Sequence, residues 1–251
     1  MLFNFSRLAI IILVLASCQH DYSKNQVKSE RISINSSLQN DSKIDQFIAP
    51  YRARLEASMN QVLSYSAGEY SKTDGELNTA IGNLMADAVF ERTSPILKQR
   101  HGLNLDMVLL NHGGIRAPLP KGPVLMKTPF NIMPFENKVV VVQMQGDAVL
   151  DMIKYLSVVR RAHPISGMTL QISKSGKMTF FEIQNKAFDP NKIYNVATND
   201  YLYKGGDRMD FFQSSDTIFD MDYKIRAVLI DYFQSKDTLN PTADNRFTYD
   251  N

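Results

Sequence analysis

Between positions 47 and 62 the apolar residues Phe47, Ile48, Tyr51, Leu55, Met59 and Val62 fall at steps of three and four. That is the spacing of one helical face and predicts a helix over residues 47 to 63. A second helix, capped by Asn78 or Thr79 and running to about Leu97, would bury Ile81, Leu84, Met85, Ala88 and Val89. Met107 to Leu110 is short and wholly apolar, the signature of a buried strand. Val139 to Met144 repeats it with four consecutive valines, as expected where a sheet is covered on both faces. Gly146-Asp147 opens a helix carrying Val149, Met152, Ile153 and Leu156. Met168 to Ile172 and Met178 to Ile183 read as strands joined by a turn at Ser175-Gly176, and Tyr194 to Thr198 as another. A last helix is predicted from Met221 to Phe233, burying Ile225, Val228, Leu229 and Tyr232 before Asn240-Pro241. Interleaved strands and helices with no internal repeat point to an α/β fold in a single domain, residues 26–251.

Composition narrows the function classes. With 44% hydrophobic and 22% charged residues over 251 positions, the chain can bury a sizeable core, and disorder or a fibrous repeat is excluded. The 28 Lys and Arg against 26 Asp and Glu leave a formal charge of +2, without the basic stripe that DNA or RNA binding requires. One cysteine rules out an intrachain disulfide and a cysteine-based zinc site. That residue, Cys18, ends the segment MLFNFSRLAIIILVLASC, whose apolar run from Leu8 to Ala16 is too short to span a bilayer and reads as a secretory signal. Leu15-Ala16-Ser17-Cys18 resembles the lipobox of bacterial lipoproteins. The resemblance implies a signal peptide over 1–17, a lipidated Cys18, a polar tether over 18–25, and an envelope location at the outer membrane facing the periplasm.

Candidate chemistry gathers where predicted strands end. Asn111-His112-Gly113-Gly114-Ile115-Arg116 follows one strand, with glycines that let backbone approach a ligand, an amide that both donates and accepts, and a guanidinium fork. By itself the segment fits an ordinary tight turn equally well. Met133-Pro134-Phe135-Glu136-Asn137 presents an aromatic that is either a core residue or a ligand platform. Asn199-Asp200-Tyr201 leads into Gly205-Gly206-Asp207, a glycine loop ending in a carboxylate.

Together with Gly82-Asn83-Leu84-Met85-Ala86-Asp87-Ala88, and in this order, these segments resemble the C-terminal domain of the 5'-nucleotidase family. The likeness covers roughly residues 26 to 235 and implies a mixed sheet with flanking helices. In that family the domain binds the nucleoside, while a separate metallophosphatase domain holds two metal ions and hydrolyses the ester. The resemblance gives Phe135 and Tyr201 the role of sandwiching the base, a contact that tolerates different bases. It gives Asp207 the ribose hydroxyls, Arg116 a place near ribose and phosphate, and Asn111, Gly113 and Gly114 the lining of the pocket. Two departures stand out. His112 replaces the usual glycine, which predicts an unusual backbone angle there. The family's arginine ahead of the Gly-Asn pair is missing, Lys72 being the only cation between Tyr70 and Ile81.

A two-metal phosphoesterase needs clustered Asp, Asn and His ligands. This sequence has four histidines and no Asp-x-His or His-x-His, so no metal site, cofactor or catalytic residue is expected in it. Neither a Walker loop nor a nucleophile elbow is present. The expectation is therefore the nucleoside- or nucleotide-recognising half of a split 5'-nucleotidase, with divalent metals and hydrolysis supplied by a separate metallophosphatase chain. The alternative is a non-enzymatic nucleoside-binding lipoprotein of the envelope.

Overall fold

The computed structural model describes residues 29–215 and 217–250. The expected signal peptide, Cys18 and tether lie outside the described residues. In chain order the elements are α1 (Ser42–Met59), β1 (Val62–Ser66), α2 (Ala80–His101), β2 (Met107–Leu109), β3 (Gly122–Leu125) and α3 (Lys127–Ile132). They continue with β4 (Lys138–Met144), α4 (Gly146–Val159), β5 (Ile165–Ser166), β6 (Met168–Ile172), β7 (Met178–Ile183), β8 (Lys186–Ala187) and β9 (Tyr194–Asn199). Last come α5 (Asp200–Tyr203), β10 (Ile218–Lys224), α6 (Ile225–Gln234), β11 (Thr238–Leu239) and β12 (Phe247–Tyr249). The chain divides into two compact units at Ile48/Ala49, and strands β1 to β12 all lie in the second.

The central sheet runs β10-β4-β9-β2-β5. It is mixed, because β9 and β2 are parallel while β4 pairs antiparallel with both β9 and β10. Alternation along its strands sends successive side chains to opposite faces. Val139, Val141, Val108 and Ala197 pack against α2 and α6 through Ile81, Met85, Val89, Val228 and Leu229. Val140, Val142, Met107, Leu109 and Val196 pack on the other face against Val149, Met152, Ile153 and Leu156 of α4. The four valines are therefore buried on both sides, as their run predicts, each contributing roughly 1.5–3 kcal/mol by leaving water. This is an α/β domain with a central mixed sheet flanked by helices. Two smaller sheets, β11-β1-β3 and β12-β6-β7-β8, complete it.

The helix α2 begins where its cap predicts. Thr79 is extended and its Oγ1 accepts from the Gly82 N–H at 3.2 Å, and the helix ends at Gly102, whose φ of 71° closes the last turn. Two expectations change. The last helix starts at Ile225, four residues later than predicted, because Ile218 to Lys224 form a strand against β4, with Phe219 opposite Val141. Tertiary pairing overrides the local pattern there. The first helix exists as Ser42–Met59, shifted toward the N-terminus from the predicted 47–63, so that Val62 opens strand β1 instead of closing the helical face. Strands β1, β3, β5, β8, β11 and β12 and the short helices α3 and α5 go unpredicted; apart from β1, whose first residue continues the apolar spacing of the helix before it, each is too short to establish a period.

Candidate functional site

The sheet's register brings three of the sequence motifs to one edge. Because β2 and β9 run parallel, with Met107 opposite Val196, their C-terminal ends lie side by side, and each is followed by a glycine-containing loop. Strand β4 is antiparallel to β9, with Val139 opposite Asn199, so the segment preceding β4 arrives at the same edge. The result is a cavity of about 290 Å³ lined by Asn111, Gly113, Gly114, Arg116, Phe135, Tyr201 and Asp207 together with Met133 and Asn137. All seven residues singled out in the sequence meet in it. Its volume lies near the lower end of ligand pockets, roughly 300–1,000 Å³.

Asp207 organises one wall. Its Oδ2 accepts from Asn111 Nδ2 at 2.7 Å and its Oδ1 from the Tyr201 hydroxyl at 2.9 Å, while its backbone carbonyl accepts from the Tyr155 hydroxyl at 2.9 Å. A carboxylate offers about four acceptor sites, so each oxygen retains capacity for a ligand hydroxyl. The loop turns sharply to present this side chain. Gly205, Asp207 and Arg208 have φ of 86°, 53° and 60°, left-handed values that glycine adopts freely and the other two adopt at a cost of about 1–2 kcal/mol per residue. Gly206 is required for a different reason, since a Cβ there would lie 2.5 Å from the Tyr201 ring.

The two aromatics stand at the opening, Phe135 41% and Tyr201 46% exposed. An exposed ring beside a cavity offers a face for stacking. Arg116 lies with its guanidinium carbon 5.8 Å from the Phe135 centroid, within cation–π range, and near the Gly113 carbonyl. Gly114 sits so close to Asn111 that a Cβ would come within 3.0 Å of its amide oxygen, whereas Gly113 has only ordinary contacts at that position.

Behind this wall lies a histidine pair. The His112 backbone N–H donates to Nδ1 of His163 at 3.2 Å, and the His112 ring meets the Ala162 carbonyl at 3.2 Å. Burial pushes the His163 pKa down to about 4, with the neighbouring His112 lowering it further, so this imidazole is neutral at pH 7. Burial also lowers the His112 pKa, opposed by its bond to Ala162 and reinforced by the charges of Lys72 and Arg161. The unusual backbone angle expected at His112 is not found: it starts a 3-10 turn and is absent from the left-handed residues. Its side chain is accommodated by the hydrogen bond to the 160–164 segment instead.

The Gly82–Ala88 motif lies outside the cavity. Asn83 bonds the Thr242 carbonyl, and Asp87 pairs with Arg246 at 2.8 Å while accepting from Ser166. These contacts tie α2 to the C-terminal segment, a structural role. Nothing in the local sequence marks Tyr155 or His163 as a site residue, because each reaches the site only through the fold. Among the described residues no group of three His, Cys, Asp or Glu side chains is arranged to hold a metal ion. Nor, among the described residues, is any helix long and apolar enough to cross a membrane.

Three loops thus converge at one end of a mixed sheet, where exposed aromatics and a carboxylate line a cavity of the kind that takes small ligands. The chain belongs to the family described as 5'-nucleotidase, C-terminal domain, whose model matches residues 57–214. It is 26% identical over 226 residues to "Silent protein UshA(0)" of Salmonella typhimurium, covering 86% of this chain and 38% of that protein. It is 27% identical over 190 residues to "Protein UshA" of Escherichia coli, covering 72% of this chain and 32% of that one. The chain thus spans about a third of the length of the curated relatives it matches. Among solved structures, the 5'-nucleotidase precursor from Thermus thermophilus superposes with a TM-score of 0.69 at 21% identity, covering 82% of this chain and 43% of that one. That likeness concerns the fold.

Proposed function

We propose that this domain recognises the nucleoside part of a nucleotide as one half of a split 5'-nucleotidase, and that a separate metallophosphatase chain carries the divalent metals and performs the hydrolysis. The observation that supports this reading most is the convergence of Phe135, Tyr201, Asp207, Asn111 and Arg116 on one cavity. Two aromatic faces suit a base, a carboxylate with free acceptor capacity suits a vicinal diol, and a guanidinium at the rim suits an oxyanion. These groups can bind and orient. A single carboxylate cannot supply the ligand set of a two-metal centre, so the hydrolytic chemistry is assigned to a partner. In this reading Cys18 carries the lipid that holds the pair at the envelope.

The partner is tested by capturing the native protein from membranes and by deleting the chain. Recovery of a metallophosphatase, with loss of metal-dependent nucleotidase activity in the deletion strain, is the expected result. Unchanged activity and no such partner contradict the split-enzyme reading and leave the nucleoside-binding lipoprotein.

A further inference from the structure

Phe135 projects from Met133–Asn137, a segment that belongs to neither a helix nor a strand. An aromatic on an irregular loop makes a poor platform unless its backbone is already fixed, because binding must otherwise bear the entropy of ordering it. The ends of the segment are held by backbone bonds: the Met133 N–H donates to the Pro129 carbonyl at 2.9 Å, and the Asn137 carbonyl accepts from the Ile225 N–H at 3.0 Å. Between them, both neighbours of Phe135 are held by one side chain. Arg226, in the first turn of α6, donates through Nη1 to the Pro134 carbonyl at 3.2 Å and through Nη2 to the Glu136 carboxylate. Its guanidinium also stacks on the Phe130 ring, 4.3 Å from the centroid, and its side chain is only 12% exposed. Lys224 takes the other Glu136 oxygen at 2.6 Å.

We propose that Arg226 is a positioning residue for nucleoside recognition, acting through Phe135 by clamping the residues on either side of it. The proposal rests on the binding function assigned above. Planarity matters here, since a fork that donates in two directions while stacking on a ring is available to arginine and not to lysine. Glu136 is 61% exposed, and exposed ion pairs add little to global stability, so the clamp acts chiefly on the order of this loop.

The test uses the full chain in detergent, with 4-fluorophenylalanine placed at position 135 and read by fluorine NMR without ligand. A single narrow line that broadens or shifts toward the free amino acid in Arg226→Ala supports the clamp, and an unchanged line overturns it. Calorimetric titration with adenosine supplies the second arm. Arg226→Ala should weaken binding about tenfold with Phe135 present and less than about twofold in a Phe135→Ala background, the non-additivity expected of a residue that acts through another. Equal losses in both backgrounds overturn the proposal. Should Arg226→Ala fail to fold, Arg226→Lys carries both arms, as it keeps the charge and loses the fork. A wild-type chain that binds no nucleoside refutes the binding function itself, and the fluorine line then decides the clamp alone.

Discussion

The two aromatics at the pocket mouth are almost equally exposed, yet they are held in opposite ways. Tyr201 is fixed by its own neighbourhood: its hydroxyl bonds Asp207, six residues on, and its ring rests against Gly206. Phe135 is bracketed from α6 by Arg226, about ninety residues away in sequence. A platform built from a local loop is written compactly in one motif. A platform braced from a distance has half its specification elsewhere in the chain, where no local pattern announces it.

That contrast can be broken most forcefully at Gly206. Gly206→Ala drives a methyl into the Tyr201 ring, so the ring must swing away and release Asp207. Loss of both stacking and the hydrogen bond should cost about 2–4 kcal/mol of nucleoside affinity by calorimetry. Next in size is acid sensitivity behind the Tyr201 wall. His163 is held neutral by burial, with its pKa depressed from 6.5 to about 4. The unfolded chain takes up this proton first, so the stabilisation is complete above about pH 6.5 and is lost as pH falls toward 4, by about 3 kcal/mol. His112, shifted the same way, adds to the decline. Urea unfolding at several pH values checks it, and His163→Leu should flatten the slope across that window while lowering stability at pH 7, because the His112 N–H loses its acceptor.

Phe135→Ala should cost about 1–3 kcal/mol of affinity for a nucleoside and almost nothing for ribose 5-phosphate, which has no base to stack. The same titrations on both ligands measure this. Smallest is Tyr201→Phe, which keeps the ring and removes only the hydroxyl that orients it, for about 0.5–1.5 kcal/mol. An effect as large as that of Gly206→Ala would mean that Tyr201 is held by its hydrogen bond more than by its packing.

What the sequence made legible follows the same division. The valine run of β4, the capped helix α2 and the loops after β2 and β9 rest on local periodicity, caps and glycine placement, and they stand where expected. The strand β10 did not, since Ile218 to Lys224 is strand only because β4 lies beside it. The helix α1 was legible from its stripe while its end was not, because Val62 continues the spacing yet pairs with Leu125 of β3. In the site, the seven residues Asn111, Gly113, Gly114, Arg116, Phe135, Tyr201 and Asp207 are legible from motif and resemblance. The roles of Tyr155, His163 and Arg226 are not, since each contributes through a contact at least about fifty residues distant.

The proposed function requires that Phe135 and Tyr201 form a base clamp over Asp207. It is tested most directly by calorimetric titration of the purified protein in metal-free buffer with adenosine, AMP and a pyrimidine nucleoside, alongside Phe135→Ala and Tyr201→Ala. Saturable binding to the wild type that each substitution weakens severalfold or more, with both variants still cooperatively folded, is the predicted result. Binding that survives both substitutions unchanged, or no binding by a folded wild type, would contradict it.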